Sequence, residues 1–350
     1  MPPSSIRAAI ITACAAATVQ AAEWRWTWTP APGDPAPSAA TAAFKYGKDW
    51  AYAVEIDDGP KWVRDFAVPF LAAHAFTDAP PGVAGGRRLP FVGSVAAVVA
   101  NIGFNDAHVS WDDLRALREA GWAVMNHSFD HRGYHWKPEG RLDDDAVAVD
   151  AWWSQALLAA GLGGRAPTGA VYANGYVDYN RGDVLARNGI AIATRVGGSS
   201  TRVVGAADAR WMDFPRNYLD EGVWAKDGGA VLAQLPGADG DGPAAGSLII
   251  DFTHGIDREP ASANHRRWKD RLTTIAGRWG ADGGDRLWCA PTAEVADYVR
   301  AARAARITVS PGRLGVSLPD GIPGSALTIR IRGVGPAAKI QAPAGGALHR

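Results

Sequence analysis

Three apolar runs in this chain each end in Asp or His, residue types suited to binding metals, and this repetition restricts its folds more than any other feature. Ala51-Tyr52-Ala53-Val54 leads into Asp57-Asp58-Gly59-Pro60, and Trp122-Ala123-Val124-Met125 leads into His127-Ser128-Phe129-Asp130-His131. The third, Leu248-Ile249-Ile250-Asp251-Phe252-Thr253, ends in His254. Short continuous apolar runs bounded by turn residues read as strands buried on both faces. Parallel sheets covered by helices contain such strands, and their functional side chains gather where the strands run out into loops. A parallel α/β architecture with one metal-type site at the strand ends is therefore the expectation.

Helical patterns interleave with these runs from about Lys48 onward. Ser110 and Asp113 form a capping-box pattern, and Trp111, Leu114, Leu117 and Arg118 follow at helical spacing up to Gly121. Arg141 to Ala160 suits a second helix, stopped at Gly161, in which Asp143-Asp144-Asp145 reads as a solvated start favoured by the helix dipole. Val171-Tyr172 and Ile190 to Val196 read as strands, with a helical turn over Val184 to Asn188 between them. Strands over 247–253 and Arg286 to Cys289 follow, and then a helix with Val295, Tyr298, Val299 and Ala302 on one face. After Arg306 the period changes to two, in Ile307-Thr308-Val309-Ser310, Leu314 to Leu318 and Leu327 to Ile331, separated by Pro-Gly and Pro-Asp-Gly turns. Residues 22–47, rich in Pro, Ala, Thr and Trp, read as a leader or linker.

The chain has 350 residues, of which 47% are hydrophobic, enough for a large buried core. Lys+Arg and Asp+Glu both number 36, so net charge gives no argument for nucleic acid or an anionic membrane surface. Past the N-terminus no run approaches the ~20 apolar residues of a membrane span. Ser128 and Ser199 lack a Gly-x-Ser-x-Gly setting, and Gly197-Gly198 lacks the strand and helix context of a phosphate loop. The 15 Trp residues raise a carbohydrate hypothesis, because indole faces stack on sugar rings.

At the N-terminus, Arg7, the small apolar stretch Ala8 to Val19 and the small residues around Ala21 read as a secretory signal over 1–21. Ile11-Thr12-Ala13-Cys14 offers a rival lipoprotein reading. Cleavage near Ala22 leaves only Cys289, so no intrachain disulfide is expected. The expected location is the periplasm or the exterior.

Spacing of four residues places His127 and His131 on one face of a helical turn, a common way to present two imidazoles to a divalent ion. Paired carboxylates at Asp57-Asp58 repel each other, and a nearby cation relieves the repulsion. The same residues also suit an Asp-Asp-Gly-Pro turn, and the two His also suit a polar surface loop. One Asp and two His leave a coordination position open for water, as in a catalytic zinc site.

The order Asp57-Asp58-Gly59-Pro60, His127-Ser128-x-x-His131 and a late strand ending in His254 resembles the polysaccharide deacetylases with a NodB-type domain, carbohydrate esterase family 4. The run from Ser110 to Ser128 and the segment Trp288 to Val299 resemble further parts of that domain. The resemblance implies an irregular (β/α) barrel over 48–305, followed by a small β-rich appendage and tail over 306–350. It implies Asp57 as catalytic base, Asp58, His127 and His131 as ligands of one divalent ion (zinc first, cobalt or manganese as alternatives), and His254 as general acid. The substrate implied is an acetylated polysaccharide outside the cytoplasm, with N- and O-acetyl groups both open.

Several positions depart from the family pattern. Glu55-Ile56 precedes Asp57 in place of Thr-Phe, and Arg132 stands where Pro is usual. Val171-Tyr172-Ala173-Asn174-Gly175 replaces Arg-Pro-Pro-Tyr, which makes Tyr172, Asn174 and Gly175 the candidates for substrate and oxyanion contacts. The missing cation that orients the base falls to Arg165 or Arg216. A catalytically weak glycan-binding protein and a small-molecule deacylase or amidohydrolase are the alternatives on the same fold.

Overall fold

The computed structural model describes residues 23–30, 32, 36–131, 143–175, 182–197, 201–204, 211–220, 231–256, 262–320, 322 and 327–333. Residues 1–21, read as a signal segment, with Cys14, and also Arg132, Ser199 and the tail beyond 333, lie outside the described residues. Two compact units divide the chain: Ala43–Ala296 forms one, and Met1–Ala42 with Asp297–Arg350 forms the other.

The larger unit is a closed parallel barrel. Its strands are β1 (Trp50–Ile56), β2 (Ser94–Ala97), β3 (Ala123–Asn126), β4 (Gly169–Val171), β5 (Ile192–Val196), β6 (Phe214–Tyr218) and β7 (Ser247–Thr253). Each is hydrogen-bonded to the next in parallel, and β7 returns to β1 in register from Leu248 opposite Ala51 to Thr253 opposite Ile56. Since β7 takes one edge of β1, the other edge is shared by β2 at Glu55 and Ile56 and by an eighth strand, β8 (Leu287–Cys289), at residues 50–52. Every residue of β1 and β7 is buried, the condition that their continuous apolar runs imply.

Helices cover the barrel with their apolar faces inward. In α1 (Trp111–Glu119) the capping box forms as read: Ser110 Oγ accepts from the Asp113 N–H, and Asp113 Oδ2 accepts from the Ser110 N–H. Asp143 caps α2 (Asp144–Gly161) by accepting from the Ala146 N–H, and this helix buries Val147, Ala151, Ser154, Gln155 and Leu158 along one stripe. Ser262 caps α3 (Ala263–Trp279), whose inner face carries Trp268, Leu272, Ile275 and Trp279. A last helix, α4, spans Thr292–Ala304.

Two strands, β2 and β6, and the helix α3 have no counterpart in the sequence reading. Phe214–Tyr218 carries Pro215, Arg216 and Asn217 and shows no apolar run, whereas Ser94–Ala97 opens the apolar run Val95 to Ala100, which ends in none of the Asp or His residues that marked the other strands. The barrel interior at β6 is polar, which removes the signature that marks β1 and β7.

In the smaller unit, Arg306–Ser310 and Arg313–Ser317 form an antiparallel hairpin through Pro311-Gly312. Residues 22–47, expected as a leader or linker, supply two strands here. Glu23–Thr27 pairs antiparallel with Arg313–Ser317, and Ser38–Thr41 pairs with Ile329–Arg332. The alternation Trp24, Trp26, Trp28 places three indoles with Leu314, Val316, Ile307 and Val309 in one apolar cluster. Flanking Pro and Ala residues conceal that five-residue strand in the composition.

Candidate active site

All three motifs meet at the C-terminal rim of the barrel. Asp57 and Asp58 follow β1, His127 follows β3, and His254 follows β7. The turn after β1 begins at Asp58 itself, whose φ of 68° is left-handed, and continues through Gly59 at 60°. His127 and His131 converge by a different route from the helical turn read from their spacing. They lie in a loop, in which Ser128 and His131 adopt φ values of 68° and 63°. The side chain of Asn126 folds that loop. Its Oδ1 accepts from the Ser128 N–H at 2.9 Å, and its Nδ2 donates to Ser154 Oγ and Gln155 Oε1 on α2. Ser128 Oγ in turn accepts from the His131 N–H at 2.9 Å.

Asp58, His127 and His131 bring one ligand atom each within 4.8 Å of one another. His127 Nδ1 lies 3.0 Å from the Val171 carbonyl, which can only accept, so this nitrogen carries a proton and, in the neutral ring, Nε2 has the lone pair. That Nε2 is buried, lacks a hydrogen-bond partner, and stands 3.4 Å from Asp58 Oδ1. His131 Nε2 lies 3.5 Å from the same oxygen. An orphaned buried lone pair is costly, and a cation between these atoms satisfies it. Two imidazoles and a carboxylate are a donor set suited to zinc and its neighbours in the first transition row. Burial pushes the Asp58 carboxyl up, but the two histidines and His254 outweigh it and hold the group at about 2. Burial and the adjacent His127 push the His131 imidazole down, keeping it in the neutral, ligating form.

Arg216, and not Arg165, supplies the cation beside Asp57. Its Nη1 donates to Asp57 Oδ1 at 2.7 Å and its Nη2 to Oδ2 at 2.6 Å, a bidentate pair in which both side chains are buried. Burial raises the Asp57 carboxyl, yet Arg216 first and then His127 and His254 bring it below the usual carboxylate range. Arg165 precedes β4 and so sits at the opposite rim, lining a cavity with Arg118, Trp122 and Glu294. Arg216 Nη1 also donates to Glu55 Oε2 at 2.9 Å. Glu55 is fully buried and accepts from Thr194 Oγ1 at 2.9 Å and Thr292 Oγ1 at 2.6 Å as well.

His254 Nε2 faces Asp57 Oδ2 at 3.8 Å, while Nδ1 donates to Asp220 Oδ2 at 2.8 Å. The Thr253 hydroxyl donates to the other oxygen of Asp220. Burial lowers the affinity of His254 for its proton, but the Asp220 hydrogen bond and the charges of Asp57, Asp220 and Asp58 outweigh it and raise the pKa. The sequence reading missed Asp220. Its signal is an acidic residue just beyond a strand end, the placement of Asp57 and Asp58, but β6 itself went unseen.

Tyr172, Asn174 and Gly175 lie at the end of β4, on the same rim. The Tyr172 hydroxyl donates to the Met212 carbonyl, its N–H pairs with Thr194, and the Gly175 N–H bonds back to the Tyr172 carbonyl. Asn174 has a φ of 61° and its Nδ2 is 3.5 Å from the His131 carbonyl. Gly175 needs its lack of side chain: φ is +71°, and a Cβ would lie 2.0 Å from Val196 Cγ2. The loop between β2 and α1 completes the rim. Its Ala100 N–H donates to the Phe129 carbonyl and its Val109 N–H to the Gly59 carbonyl, and Phe104 on it is 76% exposed.

No family model and no curated protein matches the chain. Among solved structures the chain is similar to IcaB from Ammonifex degensii at 18% identity, with 50% of this chain and 70% of that chain covered and a TM-score of 0.36. A polysaccharide deacetylase from Bacillus cereus matches at 16% identity over 47% of this chain and 46% of that one, with a TM-score of 0.37. A family 4 carbohydrate esterase from Streptomyces lividans, in complex with acetate, matches at 16% identity over 69% and 92%, with a TM-score of 0.39.

Proposed function

We propose that this chain is a metal-dependent hydrolase of the polysaccharide deacetylase family, removing acetyl groups from an extracytoplasmic glycan. The observation that carries the reading is the buried, partnerless His127 Nε2 beside Asp58 and His131, placed next to an oriented carboxylate and an oriented imidazole. Asp58, His127 and His131 are the residues that would hold the ion, which supplies Lewis acidity toward an acetyl carbonyl and acidifies nearby water.

The chain's own groups do the rest. Asp57, held ionised by Arg216, takes the proton of the attacking water. The Ala173 and Asn174 N–H groups of the turn after β4 are the candidates to face the developing oxyanion, since those of Tyr172 and Gly175 are engaged by carbonyls. His254, kept protonated by Asp220, donates to the departing nitrogen or oxygen. Phe104, 76% exposed on the loop after β2, is an apolar face available to a sugar ring. The N-terminal residues 1–21 support export by their composition.

The test is acetate release across a panel of N- and O-acetylated glycans, with metal content measured on the same sample. Asp57→Asn should keep metal and fold while losing about 10²–10⁴-fold in turnover. Wild-type protein that binds metal and releases no acetate from any glycan would overturn the deacetylase reading in favour of glycan binding.

A further inference from the structure

We propose that Glu55 is a positioning residue for Asp57, fixing the Arg216 fork that aims the base; the kinetic part of this inference rests on the deacetylase reading. Glu55 lies on β1 and Asp57 one residue past its end, where the Asp57 N–H still pairs with the Thr253 carbonyl, and Arg216 in the barrel interior reaches both side chains. An acidic residue at 0% exposure in an otherwise apolar strand has a large desolvation cost, and local structure gives no reason for it. Its hydrogen bonds do give one. The guanidinium shares Nη1 between Asp57 at 2.7 Å and Glu55 at 2.9 Å, while Nη2 belongs to Asp57 alone.

A bidentate Arg–carboxylate pair is rigid within itself but can rock as a unit at the end of a flexible arginine stem. Glu55 stops that motion by holding the shared nitrogen from a third direction. Glu55 is itself tied down at both oxygens, by Thr194 on β5 and by Thr292 at the start of α4, whose N–H also donates to Ser94 on β2 at 3.3 Å. From below, the Phe252 ring lies 3.7 Å from the guanidinium carbon. Asp57 is thus aimed by a chain of contacts that reaches five strands and a helix. Its distance of 3.8 Å from His254 Nε2 depends on that aim.

The experiment uses Glu55→Gln, which keeps the shape and removes the charge, in wild-type and Asp57→Asn backgrounds. With Asp57 present, kcat should fall about 10- to 100-fold, the scale of a small misplacement of a reacting group, with KM and metal stoichiometry retained. In the Asp57→Asn background the same change should cost less than about twofold, because its effect passes through Asp57. An equal loss in both backgrounds, or no loss of kcat in the first, overturns the proposal.

Crystal structures of wild type and Glu55→Gln supply a readout that needs no substrate. A rotated Asp57 carboxylate supports the positioning role, and an unmoved one refutes it even if no glycan is a substrate. Thr292→Val loosens Glu55 while leaving all three charges, and serves the same two readouts if Glu55→Gln does not fold. It should show a smaller loss of the same kind, and an unchanged kcat with an unmoved Asp57 counts against the role.

Discussion

Replacing Arg216 by Gln removes three charge-assisted hydrogen bonds at once and leaves two buried carboxylates facing each other. Asp57 is 2% exposed and Glu55 0%, so neither can recover its hydration without local unfolding. Removing one partner of a buried pair generally costs about 3–5 kcal/mol, against 0–1 kcal/mol for a surface pair. For a unit of this size that corresponds to roughly a 10 °C fall in Tm. The pH dependence has a definite sign. Arg216 holds the Asp57 carboxyl below its ordinary range, so this stabilisation is complete above the unfolded carboxylate pKa of about 4 and is lost as pH falls through the lower native value. The deficit of the variant should therefore be widest at neutral pH and narrow on acidification below about pH 4. Urea unfolding followed by Trp fluorescence at both pH values, with chelator present to remove metal linkage, measures it. A variant within about 1 kcal/mol of wild type at pH 7 would mean that the fork behaves as a surface pair, and the reasoning fails.

Two further outcomes follow from the site. His127→Ala and His131→Ala should each weaken binding of a divalent ion by more than about 100-fold by calorimetric titration, and stoichiometric metal in both variants would remove the site from Asp58, His127 and His131. Asp220→Asn should move the alkaline limb of the pH–rate profile to lower pH, because Asp220 helps raise the His254 pKa and the acid form is lost as pH rises through that value. An unmoved limb would argue that another group donates the proton.

What the sequence made legible follows from which apolar runs end in Asp or His. β1, β3 and β7 announce themselves, and the residues just past their ends are the ones that assemble the site. Sequence reading narrowed the orienting cation to two arginines but could not choose, because the choice depends on which end of a strand each occupies. Arg165 comes before β4, while Arg216 lies inside β6 and faces the barrel interior. Asp220 stayed hidden for the same reason as β6, a strand whose inward side chains are polar because they serve the site. The His127–His131 spacing pointed to two residues that do lie together, but through the wrong local structure, since left-handed residues at Ser128 and His131 leave no pattern in non-glycine sequence.

Barrel closure also dictates an order of events during synthesis. The first strand is completed by the last, and Tyr52 donates its hydroxyl proton to Asp251, 199 residues later in the chain. Arg216 reaches Asp57 across 159 residues. At translation rates of about 5–20 residues per second, β1 waits roughly 10–40 s for its partner. Throughout that interval the edge of Trp50–Ile56 that β7 takes is unpaired and open to pairing with other nascent chains. The rim that carries Asp57, His127 and His254 is complete only with the closing strand, so a chain stalled before Thr253 holds its candidate site unassembled.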